Sequence, residues 1–388
     1  MLTLTQRCAL VGTSRGCPFP CSFCYENMIG GTGFRRNTTS GMIADIREKK
    51  KFFGTNRFWI SDSNFGTNPT HTEQTLQSII NADLNCVFSS LCRVEIGSRP
   101  HILDLMKKAG MSTVSVGMET LRDEQLTSIE KRQSVDDIRR TIDQIQSHGI
   151  AVFGLFMVGF DDDTEDTPWE IIEFCRKEGV AGLSLYCLSE YPALPGRSLP
   201  RHRICEDNLD YYSGHFVTTF PRRVRPSVLE QNVYDALLDY YSVSKIIHGL
   251  ATLDRRSLQF GVPLYWQMRK MAAISKSHCD ALRSREERYY SHGGVLHLDL
   301  LQASPWLNSA LPEDTMECWA DAVEHRPASE GPRSESTQLF AAGSEEYGQV
   351  NFGNEAPHYA TSNCQTSSAI HNSGTGSDTK IFDSEIIR

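Results

Sequence analysis

From residue 8 to about residue 190, short runs of β-branched and apolar residues alternate with segments whose apolar positions step by three and four. The runs predict strands over 8–13, 57–61, 87–92, 113–118, 151–159 and 182–188. The stepped segments predict helices over 39–53, 70–81, 101–108, 134–148 and 164–177. Strands alternating with helices build a parallel sheet, because each helix carries the chain back to start the next strand in the same direction. The fourth helix is the most clearly written: Val135, Ile138, Ile142 and Ile145 share a face, Ser134 with Asp137 forms an N-terminal cap, and Gly149 ends it. Six such units are too few for a closed eight-stranded barrel. The expected fold is therefore α/β, an open, partial (β/α)6 TIM-like barrel over residues 1–200.

After about residue 200 the pattern turns helical. Val228, Leu229, Val233, Leu237, Leu238 and Tyr241 keep one face after Pro226, and the segment from Pro221 to Pro226 reads as a linker into this region. Residues 201–305 are thus expected to form a helical C-terminal region, a cap or side domain. Residues 306–388 are rich in Ser, Glu, Gly, Asn and Thr and read as a disordered tail, which makes Cys318 and Cys364 poor ligand candidates.

Composition narrows the class. With 39% apolar and 22% charged residues the chain reads as a soluble globular protein. A net charge of −9 gives no general attraction for nucleic acid, and the local cluster of Arg222, Arg223 and Arg225 reads as a solvated face. The N-terminus lacks the apolar core of a signal peptide, and no apolar run is long enough for a membrane span. Twelve cysteines without a regular pairing pattern suit a reducing compartment, so a cytoplasmic protein is expected.

Three of those cysteines carry the most chemistry. Cys17, Cys21 and Cys24 stand in a loop where Gly16, Pro18 and Pro20 forbid regular structure, directly after the first predicted strand. A structural iron-sulfur cluster is held by four thiolates, so three thiolates leave one iron open to a substrate or cofactor. Zinc is the alternative, but it needs a fourth Cys or His, and the nearest histidine, His71, has no partner at finger-like spacing. The loop's place after a strand also meets the rule that parallel barrels react at the C-terminal ends of their strands.

Cys17, Cys21 and Cys24, with Phe23 before the third cysteine, resemble the signature of the radical S-adenosylmethionine superfamily. The resemblance implies a [4Fe-4S] cluster on these cysteines, with its open iron chelating S-adenosylmethionine. One electron then releases methionine and a 5′-deoxyadenosyl radical. It also implies an external electron donor such as flavodoxin or ferredoxin, and a small-molecule or lipid-like substrate. Phe23 would lie near the adenine. Glu119, closing the fourth strand, resembles a strand-end carboxylate that meets the ribose or amino group, though an N-cap or solvated glutamate reads equally from the residues. Arg132, in Glu130-Lys131-Arg132, resembles the basic position that reaches the methionine carboxylate; an exposed charge run is the other reading. Asp62 and Asn64 resemble a strand-end polar motif able to bond cofactor or substrate, and both residues also make ordinary turns. Arg93 and Glu95 end the third strand as a charge pair with a structural reading open.

Gly159-Phe160-Asp161 and the proline-glycine turn at Pro195-Gly196 are similar to motifs of the branch that often carries a cobalamin-binding domain. The similarity runs from about residue 8 to residue 240. Gly154 and Gly159 read as openings for a cofactor or a neighbouring backbone, and Asp163 or Thr164 as the cap of the following helix. Only sixteen residues precede Cys17, too few for a cobalamin domain. The expectation is that cobalamin comes from a separate chain, is not used, or belongs to a part of which this chain is a fragment. The leading reading is an enzyme that starts hydrogen abstraction or methyl transfer. The competing one is a non-catalytic metal-binding or partner protein that keeps the barrel. Tyr186, Cys187 and Tyr191 stand as possible hydrogen-atom donors or as core residues.

Overall fold

A computed structural model describes residues 8–31, 33–189, 204–206, 208–251 and 255–291. Six parallel strands form one open sheet in chain order: β1 (Ala9–Val11), β2 (Arg57–Ile60), β3 (Val87–Arg93), β4 (Met111–Glu119), β5 (Ala151–Val158) and β6 (Gly182–Cys187). The crossovers carry α1 (Thr39–Phe53), α2 (Pro69–Asn81), α3 (Pro100–Lys108), α4 (Val135–Ser147) and α5 (Thr167–Lys177). This is the strand order and openness expected of a partial (β/α)6 barrel. Every predicted strand and helix is present within about three residues.

The departures have local causes. β1 stops at Val11 because Thr13 and Ser14 turn aside to the carboxylate of Asp62, and Ser14–Arg15 then pairs antiparallel with Arg35–Arg36. α5 starts at Thr167, later than expected, and Asp163 does not cap it. Asp163 is buried, accepts from the backbone N–H groups of Gly159 and Phe160 at 2.8 and 3.0 Å, and takes a bond from Gln125 at 3.1 Å. Burial pushes its carboxyl upward against those three bonds. The cap of α4 is as expected, with Ser134 and Asp137 bonding reciprocally.

Alternation divides the sheet into two faces. Phe58, Ile60, Phe88, Cys92, Val152, Phe156, Leu183 and Leu185 are buried in one core with the apolar faces of the helices. Trp59, Ser89, Leu91, Leu155, Ser184 and Tyr186 point the other way and are only half-buried, lining the concave side. Gly154 falls on the buried side, where a Cβ would meet the Phe156 ring at 2.7 Å. It makes room for core packing, not for a cofactor. Gly159, at φ +103°, serves the turn that Asp163 holds.

Residues 204–291 continue the same compact unit. They contain α6 (Pro226–Tyr240), α7 (Val243–Ala251) and α8 (Arg255–Ser291). Leu229, Val233, Leu237 and Tyr240 of α6 are buried, and α6 packs on α5, β6 and α8. Arg222 and Arg223 are not a free basic face: they pair with Asp161 and Asp162 at 3.1 Å each, and Arg225 lies over the Tyr290 ring. Exposed pairs of this kind add little stability. The tail beyond residue 291, with Cys318 and Cys364, and the expected turn at Pro195-Gly196 with Tyr191 lie outside the described residues. Among the described residues no helix is long and apolar enough to cross a membrane.

Polar contacts join apolar ones in fastening α8. His278 is buried between two buried glutamates, with Nδ1 2.8 Å from Glu230 and Nε2 3.0 Å from Glu206. Both ring nitrogens face carboxylate oxygens, so both must donate, and the ring is an imidazolium. Arg285 also reaches Glu206, Ser275 donates to Glu230 at 2.7 Å, and the hydroxyl of Ser227 donates to Glu286 at 2.9 Å. Burial works against the charge of His278, but the two glutamates outweigh it and raise its pKa. Burial likewise opposes the charge of Glu206, yet His278, Asn208 and Arg285 hold it down at about 2. Cys279, pushed up to about 12 mainly by burial, stays a neutral thiol.

A raised folded-state pKa gives stability that is complete below the unfolded value near 6.5 and lost as pH rises through the folded value. The urea midpoint of the chain is therefore expected to fall as pH climbs above neutrality, until His278 is discharged. In His278→Ala that slope should vanish and stability should drop by about 3–5 kcal/mol, the usual consequence of stripping a buried charge of its partner. A pH series of urea titrations on both proteins measures it.

Candidate functional site

The cysteine loop leaves β1 at the C-terminal mouth of the sheet and is anchored by the next strand end. The buried carboxylate of Asp62 accepts from the backbone N–H groups of Thr13 and Ser14 at 2.7 and 3.0 Å and from both their hydroxyls, the latter at 2.6 Å for Ser14. Four donors thereby converge on Asp62, which shapes the loop. Hydrogen bonds to a charged group contribute about 1.5–3 kcal/mol each. His71 adds a buried contact to the Thr13 carbonyl at 3.1 Å. Gly16, at φ +84°, makes the turn into Cys17, and a Cβ there would sit 2.2 Å from the Gly33 carbonyl oxygen. No other residue fits.

Beyond Gly16 the three thiols lie at graded depth: Cys21 is buried, and Cys17 and Cys24 are half-buried. The Cys24 N–H bonds the Cys21 carbonyl at 3.1 Å, and Ser22 N–H bonds the carbonyl of Ile129 at 3.2 Å, which ties the loop to the turn after β4. Tyr25 ties its far end to the Ser189 carbonyl at 3.0 Å, just after β6. Burial is the main influence raising the Cys17 and Cys24 thiols, with nearby Lys131 pulling them back down.

Arg93 is the residue that sequence reasoning undervalued. Its guanidinium donates to Cys21 Sγ at 3.1 Å, bonds the Lys131 carbonyl, grips Glu95 at 3.0 and 3.1 Å and lies 4.1 Å from the centre of the Phe19 ring. The side-chain oxygen of Asn64 accepts from the Arg93 backbone N–H at 3.1 Å. In the structure Asn64 thus holds the backbone of Arg93.

Arg132 and its neighbour Lys131 face opposite ways. Arg132 is exposed and borders a polar cavity of about 520 Å³ between residues 94–98 and α4. Lys131 turns inward instead, 2.6 Å from the buried carboxylate of Glu119 and 5.7 Å from the centre of the Phe23 ring. Glu130 and Arg132 both adopt positive φ, at +56° and +55°, and Glu119 does so at +66°. Such conformations are unfavourable for side chains of this size and cluster at ligand sites. Gly117 is needed beside this pair, since a Cβ there would meet Glu119 Oε1 at 2.6 Å. Gln133, bonded to the Met118 carbonyl at 3.0 Å, keeps a buried side-chain oxygen with no partner among the described residues.

The mouth therefore gathers Cys17, Cys21, Cys24, Phe23, Glu119, Lys131 and Arg93 and leaves Arg132 outside. The donor set suits an iron-sulfur cluster: three thiols in one loop, with a guanidinium and an ammonium near them to offset anionic charge.

Residues 11–175 match the model of the Radical SAM superfamily. The family implies a [4Fe-4S] cluster and S-adenosylmethionine. The chain is 23% identical over 256 residues to bacteriochlorophyllide d C-12(1)-methyltransferase of Chlorobaculum tepidum, covering 65% of this chain and 54% of that protein. It is 26% identical over 187 residues to hopanoid C-2 methylase of Rhodopseudomonas palustris, covering 47% and 36%. The chain spans about half or less of the length of these relatives. Among solved structures, the radical S-adenosylmethionine methyltransferase TsrM of Kitasatospora setae, with cobalamin and a [4Fe-4S] cluster bound, aligns with TM-score 0.44 and 19% identity over 50% of this chain and 39% of that one.

The geometry makes Gly16→Ala a test of the loop. In the metal-free protein kept under reducing conditions, Cys21 is buried behind Arg93 and should alkylate slowly with iodoacetamide. In Gly16→Ala the loop must shift, and Cys21 labelling followed by mass spectrometry should accelerate about tenfold, since thiol reactivity tracks access and thiolate character.

Proposed function

We propose that this chain is a radical S-adenosylmethionine enzyme that acts on an unactivated carbon, by hydrogen abstraction or methyl transfer, with Cys17, Cys21 and Cys24 holding a [4Fe-4S] cluster. The reading is carried by one observation: a loop with three thiols, fastened at the C-terminal mouth of a parallel sheet, with a buried guanidinium on the innermost sulfur. When bound, the cluster and S-adenosylmethionine supply one-electron reductive cleavage of a sulfonium bond.

This chain's residues have definable parts in that reading. The three cysteines serve as thiolates, and Arg93, with Lys131 close by, offsets their negative charge. Phe23 offers a flat apolar wall to the adenine. Glu119 and Lys131 form a buried pair whose carboxylate and ammonium match the opposite charges of an amino acid's ends. The oxygen of Gln133 awaits a donor. Asp62 and Asn64 hold the loop and Arg93 in place.

The relatives' names favour methyl transfer over other outcomes. Since those proteins are longer, a cobalamin-binding unit, where one is used, would come from a separate chain or from sequence outside this one. An electron donor of the flavodoxin or ferredoxin kind completes the proposal.

Anaerobic reconstitution with iron and sulfide is expected to give a brown protein with about four irons per chain, which cleaves S-adenosylmethionine when reduced. Cys21→Ala should lose both colour and cleavage. A colourless protein holding zinc would instead leave the barrel as a non-catalytic binding module.

A further inference from the structure

The concave face of the sheet holds a cavity of about 560 Å³, within the range of small-molecule sites. Its walls are aromatic and aliphatic: Trp59, Leu91, Phe153, Leu155 and Tyr186. Phe260 of α8 closes part of the floor, with its ring centre 5.3 Å from that of Phe153. The structure also separates the two described candidates for hydrogen-atom donors, because Tyr186 lines this cavity whereas Cys187 is buried behind the sheet.

The charges along the cavity are one-sided. No aspartate or glutamate lines it, and its one charged group is Arg57, at the start of β2. Among the described residues no carboxylate pairs with the Arg57 guanidinium. One step further along the strands, register sets Trp59 beside Ser89 and Ser89 beside Thr113. Thr113 is 4% exposed and packs in the wall, its hydroxyl oxygen closed off from the cavity. Arg57 is thus a half-buried cation at one end of a largely apolar cavity, where an anionic group can meet it in a charge-assisted contact.

The lining reaches Leu91, two residues before Arg93, which touches Cys21, while Val87, paired with Arg57, opens the same strand. Arg93 stands six positions after Val87, a rise of about 20 Å at the usual strand spacing.

Resting on the reading of the cysteine loop as the reactive end, we propose that this cavity takes an elongated apolar molecule carrying one carboxylate, sulfonate or phosphate. The anionic group sits on Arg57, and the apolar body extends along the strands in the direction of the cysteines. Anchoring the charge at the far end would let a featureless hydrocarbon surface present one particular carbon to the loop.

Binding of two fluorescent probes to the full-length protein tests this without any cluster. 1-Anilinonaphthalene-8-sulfonate is apolar and anionic, and N-phenyl-1-naphthylamine is its uncharged counterpart. The anionic probe is expected to bind more tightly, with an advantage that shrinks as salt is raised. Arg57→Gln should remove that advantage, weakening the anionic probe about tenfold and leaving the neutral one unchanged, as loss of a charge-assisted contact would. Ser184→Phe, which fills the channel from its wall, should weaken both. The proposal is overturned if Arg57→Gln leaves the anionic probe's affinity as it was, or if a folded Ser184→Phe binds both probes normally. If Ser184→Phe does not fold, competition decides: hexadecanoate must displace the anionic probe from the wild type better than hexadecanol does, and equal displacement overturns the anion anchor. Loss of iron binding in Cys21→Ala, by contrast, bears only on the cysteine loop.

Discussion

A single buried guanidinium organises the mouth of this sheet. Arg93 ends β3, and from there its side chain meets a cysteine sulfur, a phenylalanine face, a glutamate and the carbonyl of Lys131, while its backbone is held by Asn64 from β2. A cation withdrawn from water is costly unless every donor finds an acceptor. The loop, the strand ends and the turn after β4 supply those acceptors, so the requirement to satisfy Arg93 fixes their mutual positions. With Asp62 performing the mirror role for the first residues of the loop, a stretch that can form neither helix nor strand acquires one conformation.

The molecule repeats this logic away from the mouth. His278, Glu206, Glu230 and Arg285 form a buried charged network that docks α8 against α6 and the segment before it. The barrel side of the same helix uses an aromatic contact, Phe260 against Phe153. Apolar packing holds helices to the sheet with little demand on direction, whereas charged networks accept one register only. Polar fastening thus appears where loops and late helices, lacking ladder hydrogen bonds, must be placed accurately.

The concave face shows a different balance. Its helix-side neighbours are sealed into one core, but the inward side chains Trp59, Ser89, Leu91, Leu155, Ser184 and Tyr186 stay half-buried. Stability alone would favour filling such a space, which is why it carries the proposal of a bound molecule.

The sequence by itself determined the alternation of strands and helices, the capped α4, the glycine at the entry to Cys17 and the thiol triplet, because each depends on neighbours within a few positions. Periodicity of two or near four, a side-chain cap and a positive φ are local properties of the backbone. It also determined the chemistry that the loop offers, since thiols in that spacing suit few partners. What it could not decide was which charges face inward. Lys131 and Arg132 are adjacent, and only the left-handed turns at Glu130 and Arg132 send the lysine to Glu119 and the arginine to the surface. Asp62, a plausible ligand contact when read as a strand end, is occupied by Thr13 and Ser14 across 49 and 48 positions. Arg93 reaches Cys21 across 72 positions. Such pairings arise when the sheet sets its strand ends side by side and burial forces each charge to find its partner, a condition imposed by the tertiary structure alone.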